Sequence, residues 1–152
     1  HKLVAGNDPR LAAMPWRDGG VLPRFGAAEA GDAAALSYAK LGVAETGAIV
    51  TFTGRANPGR NNLLPEDHLV LVNREDVVST LEEAWVRIRK DAQAGSWPRG
   101  IQFIAGPSST GDVEAQLVLG AHGPRRWHVI LVGDTPTSAV DAARESLATA
   151  PL

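Results

Sequence analysis

Four short apolar stretches set the rhythm of the chain. Residues 48–53 (AIVTFT), 68–72 (HLVLV), 101–105 (IQFIA) and 127–132 (WHVILV) are rich in β-branched and aromatic side chains and read as buried strands. Between them the spacing turns helical. Val77, Leu81, Ala84, Trp85 and Ile88 line one face of a helix that starts at an Asn73 or Asp76 cap and runs to about residue 91. Residues 33–41 (AAALSYAKL) carry the alanine and leucine that favour a helix, with Asp32 to cap it and Gly42 to end it. Val140, Ala143 and Leu147 predict a final helix over residues 137–148. A short helix near residues 9–14 interrupts a segment, residues 1–32, that otherwise reads as loop tacked down by Trp16 and Phe25.

The most unusual stretch is residues 101–132. A strand runs into Gly106, Pro107, Ser108, Ser109, Thr110, Gly111 and Asp112, then a second apolar segment, then the strand 127–132. Three hydroxyl residues in a row, followed by Asp112 and Glu114, predict a capped helix that Gly120 ends. Backbone N–H groups and hydroxyls at such a helix start form an anion-binding wall. The order helix, strand, strand, helix, strand, helix, strand, helix predicts an α/β fold with a mostly parallel sheet. In that class ligands sit at the carboxyl ends of strands, where this loop is expected to lie.

Composition narrows the function classes. At 152 residues, 44% hydrophobic and 21% charged, the sequence reads as one globular domain. A net charge of −2 gives no electrostatic footprint for nucleic acid or an anionic membrane, and no apolar run approaches membrane-spanning length. With no cysteine, these residues cannot supply a thiolate nucleophile, a disulfide or thiolate ligands for zinc or iron–sulfur clusters, and the composition fits the cytoplasm. The sequence opens on His1 and its one methionine is Met14, so the natural N-terminus is expected to lie outside it.

Candidate chemistry is concentrated in a few places. Glu45, in the turn Glu45-Thr46-Gly47, sits where a carboxylate can act as nucleophile, base or hydroxyl binder, or simply cap a turn. The long loop at residues 54–67 (GRANPGRNNLLPED) is either functional or an exposed excursion. Of four histidines, His68 and His128 fall within or beside strands, His1 is terminal, and His122 lies in a glycine-flanked turn able to approach a ligand at Ser108. No metal-ligand spacing, Walker loop, dinucleotide fingerprint or serine-hydrolase elbow is present, so neither metal nor cofactor is expected.

Four blocks in order, Ala44-Glu45-Thr46-Gly47, Leu64-Pro65-Glu66-Asp67-His68, Gly106 through Glu114, and Leu119 through Pro124, resemble the lactate-utilisation protein C family, the short LUD-domain proteins. The resemblance runs from Gly42 to Val132; residues 1–41 match poorly and read as a variable, incomplete N-terminal part. The family often has a basic residue where Ser109 stands and alanine where Gly111 stands. The resemblance implies a three-layer α/β sandwich like that of glucosamine-phosphate isomerases, ribose-phosphate isomerases and CoA transferases. It implies work in bacterial oxidation of L-lactate to pyruvate beside iron–sulfur partner proteins, as an accessory or anion-binding subunit. By analogy with the CoA transferases, an enzyme acting on a small carboxylate, phosphate or CoA ester through Glu45 is the alternative. Site candidates are Glu45 and His122 for catalysis. Gly106, Pro107, Ser108, Ser109, Thr110, Asp112 and Glu114 are the candidates for a small anion, with Thr46, Gly47 and His68 as further pocket residues.

Overall fold

The computed structural model describes residues 3–111 and 117–150. Two sheets form its frame. The first is wholly parallel and contains β1 (Leu3–Ala5), β2 (Arg24–Phe25), β3 (Ala34–Tyr38), β6 (Asp67–Asn73) and β11 (Arg126–Val132), in the order β11-β6-β3-β1-β2. The second contains β4 (Leu41–Val43), β5 (Ala48–Thr53), β7 (Val77–Val78) and β8 (Gly100–Ile104), in the order β7-β4-β5-β8. Here β5 runs antiparallel to both neighbours. A two-stranded antiparallel hairpin, β9 (Ser109–Gly111) and β10 (Leu117–Leu119), follows β8. The helices are α1 (Pro9–Ala12), α2 (Leu81–Gln93) and α3 (Thr137–Thr149).

Strand alternation explains how the layers meet. The register aligns Ala35, His68 and Trp127, and two residues on Ser37, Val70 and Val129, so these share one face of the parallel sheet. That face packs on the mixed sheet, where Ala39, Val70 and Val72 meet Ile49, flanked by Ile104 and Trp127. On the opposite face Leu36 and Leu71 pack with Ala5, Leu11, Trp16 and Tyr38. Helix α2 covers the far side of the mixed sheet, setting Ala84 and Ile88 against Leu41, Val43 and Val50. The expected α/β architecture with a parallel central sheet is therefore present. The mixed sheet beside it was not expected from the pattern.

The segment 1–32, expected as loop with a short helix, supplies β1 and β2 to the parallel sheet, and three further expectations change. Residues 33–41 form strands β3 and β4, not a helix. Their alanines and Ser37 are the small residues needed where a central strand is buried on both faces, and that packing overrides helix propensity. Asp32 caps no helix; it pairs with Arg24 and accepts from the Glu29 N–H at 2.8 Å. Second, α2 begins at Leu81 under a Thr80 cap, because Val77 and Val78 are drawn into a strand beside β4. Third, the loop after β8 enters the β9–β10 hairpin, not a helix ending at Gly120. The Ser108 N–H donates to the Pro124 carbonyl and the Gly120 N–H to the Ser108 carbonyl, both at 2.8 Å, which locks the hairpin. Since β8 lies in the mixed sheet, this loop is not at a carboxyl end of the parallel sheet either. Among the described residues, no helix is long and apolar enough to cross a membrane.

Candidate functional site

Three of the four sequence blocks meet around Ser108. Its backbone is clamped between Gly120 and Pro124. Gly123 approaches so closely that a Cβ placed there would lie 3.1 Å from the Ser108 Cβ and 4.0 Å from the Leu63 carbonyl oxygen. A larger residue at position 123 would pry the segments apart, which is the physical use of that glycine. The Glu66 carbonyl accepts from the N–H groups of Arg125 (2.9 Å) and Arg126 (3.1 Å), tying the 63–68 segment to the start of β11. His122 is exposed on this turn, with Ser109 exposed and Thr110 half-buried on the adjoining strand.

The arrangement brings a cation to the wall. The Arg125 side chain lies directly over Gly120, within 2.0 Å of where a Cβ would stand. It is held by the Leu119 carbonyl (Nε to O, 3.4 Å) and by Glu66 at 3.6 Å. Pattern reading passed over Arg125; its place immediately after His122-Gly123-Pro124 was the available signal. Asp112 and Glu114 lie outside the described residues.

The fourth block is close in backbone but differently engaged. Gly47 immediately precedes β5 and Gly106 lies two residues after β8, whose pairing with β5 ends at Ile49–Ile104. Both glycines have positive φ, +67° and +109°, so each makes a turn that other residues would strain to make. Beside them Thr46, Ala48, Leu81, Trp85, Phe103 and Ala105 line a shallow apolar cavity of about 380 Å³. The Glu45 carboxylate, however, accepts from the Leu81 N–H at 2.7 Å, and the Glu45 N–H donates to the Ser79 carbonyl. It satisfies a free amide in the first turn of α2.

The long loop is only partly exposed. It drives Asn57, Asn61 and Asn62 into the interior, each under 8% exposed. Asn61 accepts from the Ala28 N–H and donates to the Gly26 carbonyl. Asn62 joins a buried relay between the sheets: Ser37 Oγ donates to its Oδ1 at 2.8 Å, and its Nδ2 donates to Thr51 Oγ1 at 2.9 Å and to Gln102. Because the Ser37 proton is committed to Asn62, Ser37 Oγ accepts from His68 Nε2 at 3.1 Å. That fixes the tautomer and leaves His68 Nδ1 buried and without a partner among the described residues. Burial holds the imidazole at a pKa of about 4, below its ordinary 6.5. His68 therefore sits in this relay, on the inner face of the parallel sheet, and not on the Ser108 wall. Ser37, Thr51, Asn62 and Gln102 gave no sequence signal, since polar residues scattered over four elements have no spacing in common.

The carboxyl ends of β6 and β11 hold a further cleft, of about 610 Å³, lined by Asn73, Arg74, Glu75, Val77, Val132, Gly133 and Asp134. Arg74 donates to the Asp134 carbonyl at 2.7 Å across it. Among the described residues, no three His, Asp or Glu side chains gather within reach of one metal ion.

The comparisons agree with the blocks. The family model described as LUD domain matches residues 28–132, starting well before Gly42. Lactate utilization protein C of Bacillus subtilis is 32% identical over 100 residues, which cover 65% of this chain and 42% of that protein. The Deinococcus radiodurans protein of the same name is 34% identical over 102 residues, covering 66% and 46%. The matched part thus spans less than half the length of these curated relatives. A crystal structure of a DUF162 family protein from Deinococcus radiodurans superposes with a TM-score of 0.57 at 21% identity, over 86% of this chain and 74% of that one, and so shares its fold. Matched from residue 28 to residue 132, with its motif blocks gathered on one scaffold, the chain belongs to the LUD domain family.

Proposed function

We propose that this chain serves lactate utilisation by holding a small carboxylate at the Ser108 wall, as an accessory subunit beside iron–sulfur proteins that move the electrons. The observation that carries the reading is the convergence on Ser108 of the 63–68, 106–110 and 119–125 segments, with Arg125 laid across the turn. The naming of the relatives supplies the process. A carboxylate would be met by the Arg125 guanidinium and by the hydroxyls of Ser108 and Thr110, with His122 on the open side to receive or lend a proton to a neighbouring hydroxyl. Cluster-borne electron transfer would belong to the partner proteins, because no thiolate is available in these residues to ligate a cluster.

The reading is tested in cells that use L-lactate. Deleting the gene should abolish growth on L-lactate and spare growth on pyruvate. The wild-type gene should restore growth, whereas Arg125→Gln and Ser108→Ala should restore it poorly. Glu45→Gln should restore it well, because Glu45 is engaged with α2. Loss of growth with Glu45→Gln and full growth with Arg125→Gln would favour instead an enzyme of the CoA-transferase type with Glu45 as nucleophile.

A further inference from the structure

The strands of the first sheet all point the same way, so their carboxyl ends open on one side of the molecule. The Ser108 wall joins that sheet at the opposite side, where the Glu66 carbonyl holds Arg125 and Arg126 at the start of β11. In parallel sheets flanked by other layers, ligands settle outside the carboxyl ends, where the loops diverge and leave a crevice. Here that end holds the cleft of about 610 Å³ beside the last residues of β6 and β11, a size suited to a small molecule. The carboxylate site makes no use of it.

Hydrogen bonds set the lining of this cleft. Asn73, the last residue of β6, accepts from the Tyr38 hydroxyl at the end of β3 and donates to Asp76 at 3.1 Å; Asp76 accepts in turn from Arg87 on α2 at 3.3 Å. Arg74 donates through Nη1 to the Asp134 carbonyl. Its stem lies against Gly133, where a Cβ would stand 3.4 Å from the Arg74 Cβ, and Gly133 has a φ of +129° that a larger residue would strain to adopt. The guanidinium therefore keeps Nε and Nη2, one edge of its fork, to donate. Glu75 and Asp134 line the same cleft, yet among the described residues neither carboxylate forms an ion pair with Arg74. Opposite charges around one cleft attract each other, and the bond to a backbone carbonyl holds these apart. Val77 from β7 and Val132 from β11, 37% and 38% exposed, supply apolar walls.

One cation, two anions and two valines suit a ligand that carries both signs of charge and an apolar group. A phosphate or a plain carboxylate would meet Arg74 and be repelled by Glu75 and Asp134, and a plain amine would leave Arg74 unanswered. We infer that this cleft binds an α-amino acid with an aliphatic side chain. Arg74 takes the carboxylate through its free edge, Glu75 and Asp134 take the ammonium group, and Val77 and Val132 receive the side chain. The inference does not rest on the carboxylate reading of the Ser108 wall.

The test is titration of L-leucine and L-valine into the whole protein, followed by amide NMR and calorimetry. At least one should bind, with shifts gathered at Val77, Gly133 and Asp134. Isocaproate and isopentylamine, which are leucine without its ammonium and without its carboxylate, should each bind about tenfold more weakly or worse. Arg74→Gln, and Glu75→Gln combined with Asp134→Asn, should each cut leucine affinity by a similar factor with an unchanged circular dichroism spectrum. The wild-type shift map and the two half-ligands keep the test decisive if a variant fails to fold. Neither amino acid binding at about 10 mM overturns the inference. So do shifts gathered at Ser108 and Gly120 instead, half-ligands that bind as well as leucine, or binding that survives Arg74→Gln.

Discussion

Acid should weaken this protein through His68. Its imidazole is 1% exposed, donates through Nε2 to Ser37, and has nothing to receive a proton bound at Nδ1. The folded state holds its pKa at about 4 against an ordinary 6.5, chiefly because burial penalises the charge. The unfolded chain therefore binds the proton more tightly than the folded one. Stability is complete above about pH 6.5 and falls as pH drops toward 4. The difference between the two values corresponds to about 3 kcal/mol, or a urea midpoint lower by about 1.5 M for a slope of about 2 kcal/mol/M. The lowered carboxyls of Asp8 and Asp67, each held down by a neighbouring arginine, add their losses only below that window. The assay is urea unfolding across pH 7.5 to 4 for the wild type and for His68→Leu. The variant should start less stable and then stay nearly flat through the window. Equal acid losses in the two proteins, or an imidazole signal for His68 titrating near 6.5 by NMR, would refute the reasoning.

Other outcomes follow from single contacts. Asn62→Leu strips the acceptor from Ser37 and the donor from Thr51 and Gln102, and should cost about 2–4 kcal/mol in urea unfolding, since buried polar groups are left unpaired. In Gly6→Ala the new Cβ would stand 2.3 Å from the Ala56 carbonyl oxygen, so the long loop must shift; a loss of about 1–3 kcal/mol is expected. Gly123→Ala should loosen the Ser108 clamp and show as faster amide exchange at Ser108 and Gly120. Glu45→Gln keeps an oxygen for the Leu81 N–H and loses only the charge at the α2 start, so a thermal melt should record a drop of no more than about 1 kcal/mol.

What could be read from the sequence was what local pattern controls. Strand β5 lies on the expected residues, and β6, β11 and α3 lie within a residue or so of them, because long apolar runs and helical spacing are local signals. The misreadings share a cause. Ala34–Tyr38 is locally a helix former, yet it occupies the slot between β1 and β6, where small residues are needed. The hydroxyls at Ser108, Ser109 and Thr110 look like helix caps, yet their backbone is claimed by Gly120, Pro124 and β10, all later in the chain. Asn61 and Asn62 of the long loop are paired with residues 11 to 40 positions away, a distance over which spacing carries no information. For the candidate site, the blocks that meet were visible as motifs and Arg125 stood directly after one of them, but its contact with Gly120 exists only in the folded turn.

The most direct test of the carboxylate site is calorimetric titration of L-lactate and of pyruvate into the purified protein at neutral pH. At least one should bind, with affinity cut about tenfold or more by Arg125→Gln, the loss of a charge-assisted hydrogen bond of about 1.5–3 kcal/mol. Ser108→Ala should weaken it less, and Glu45→Gln not at all. No heat from either compound, or binding indifferent to Arg125 and Ser108, would contradict the account.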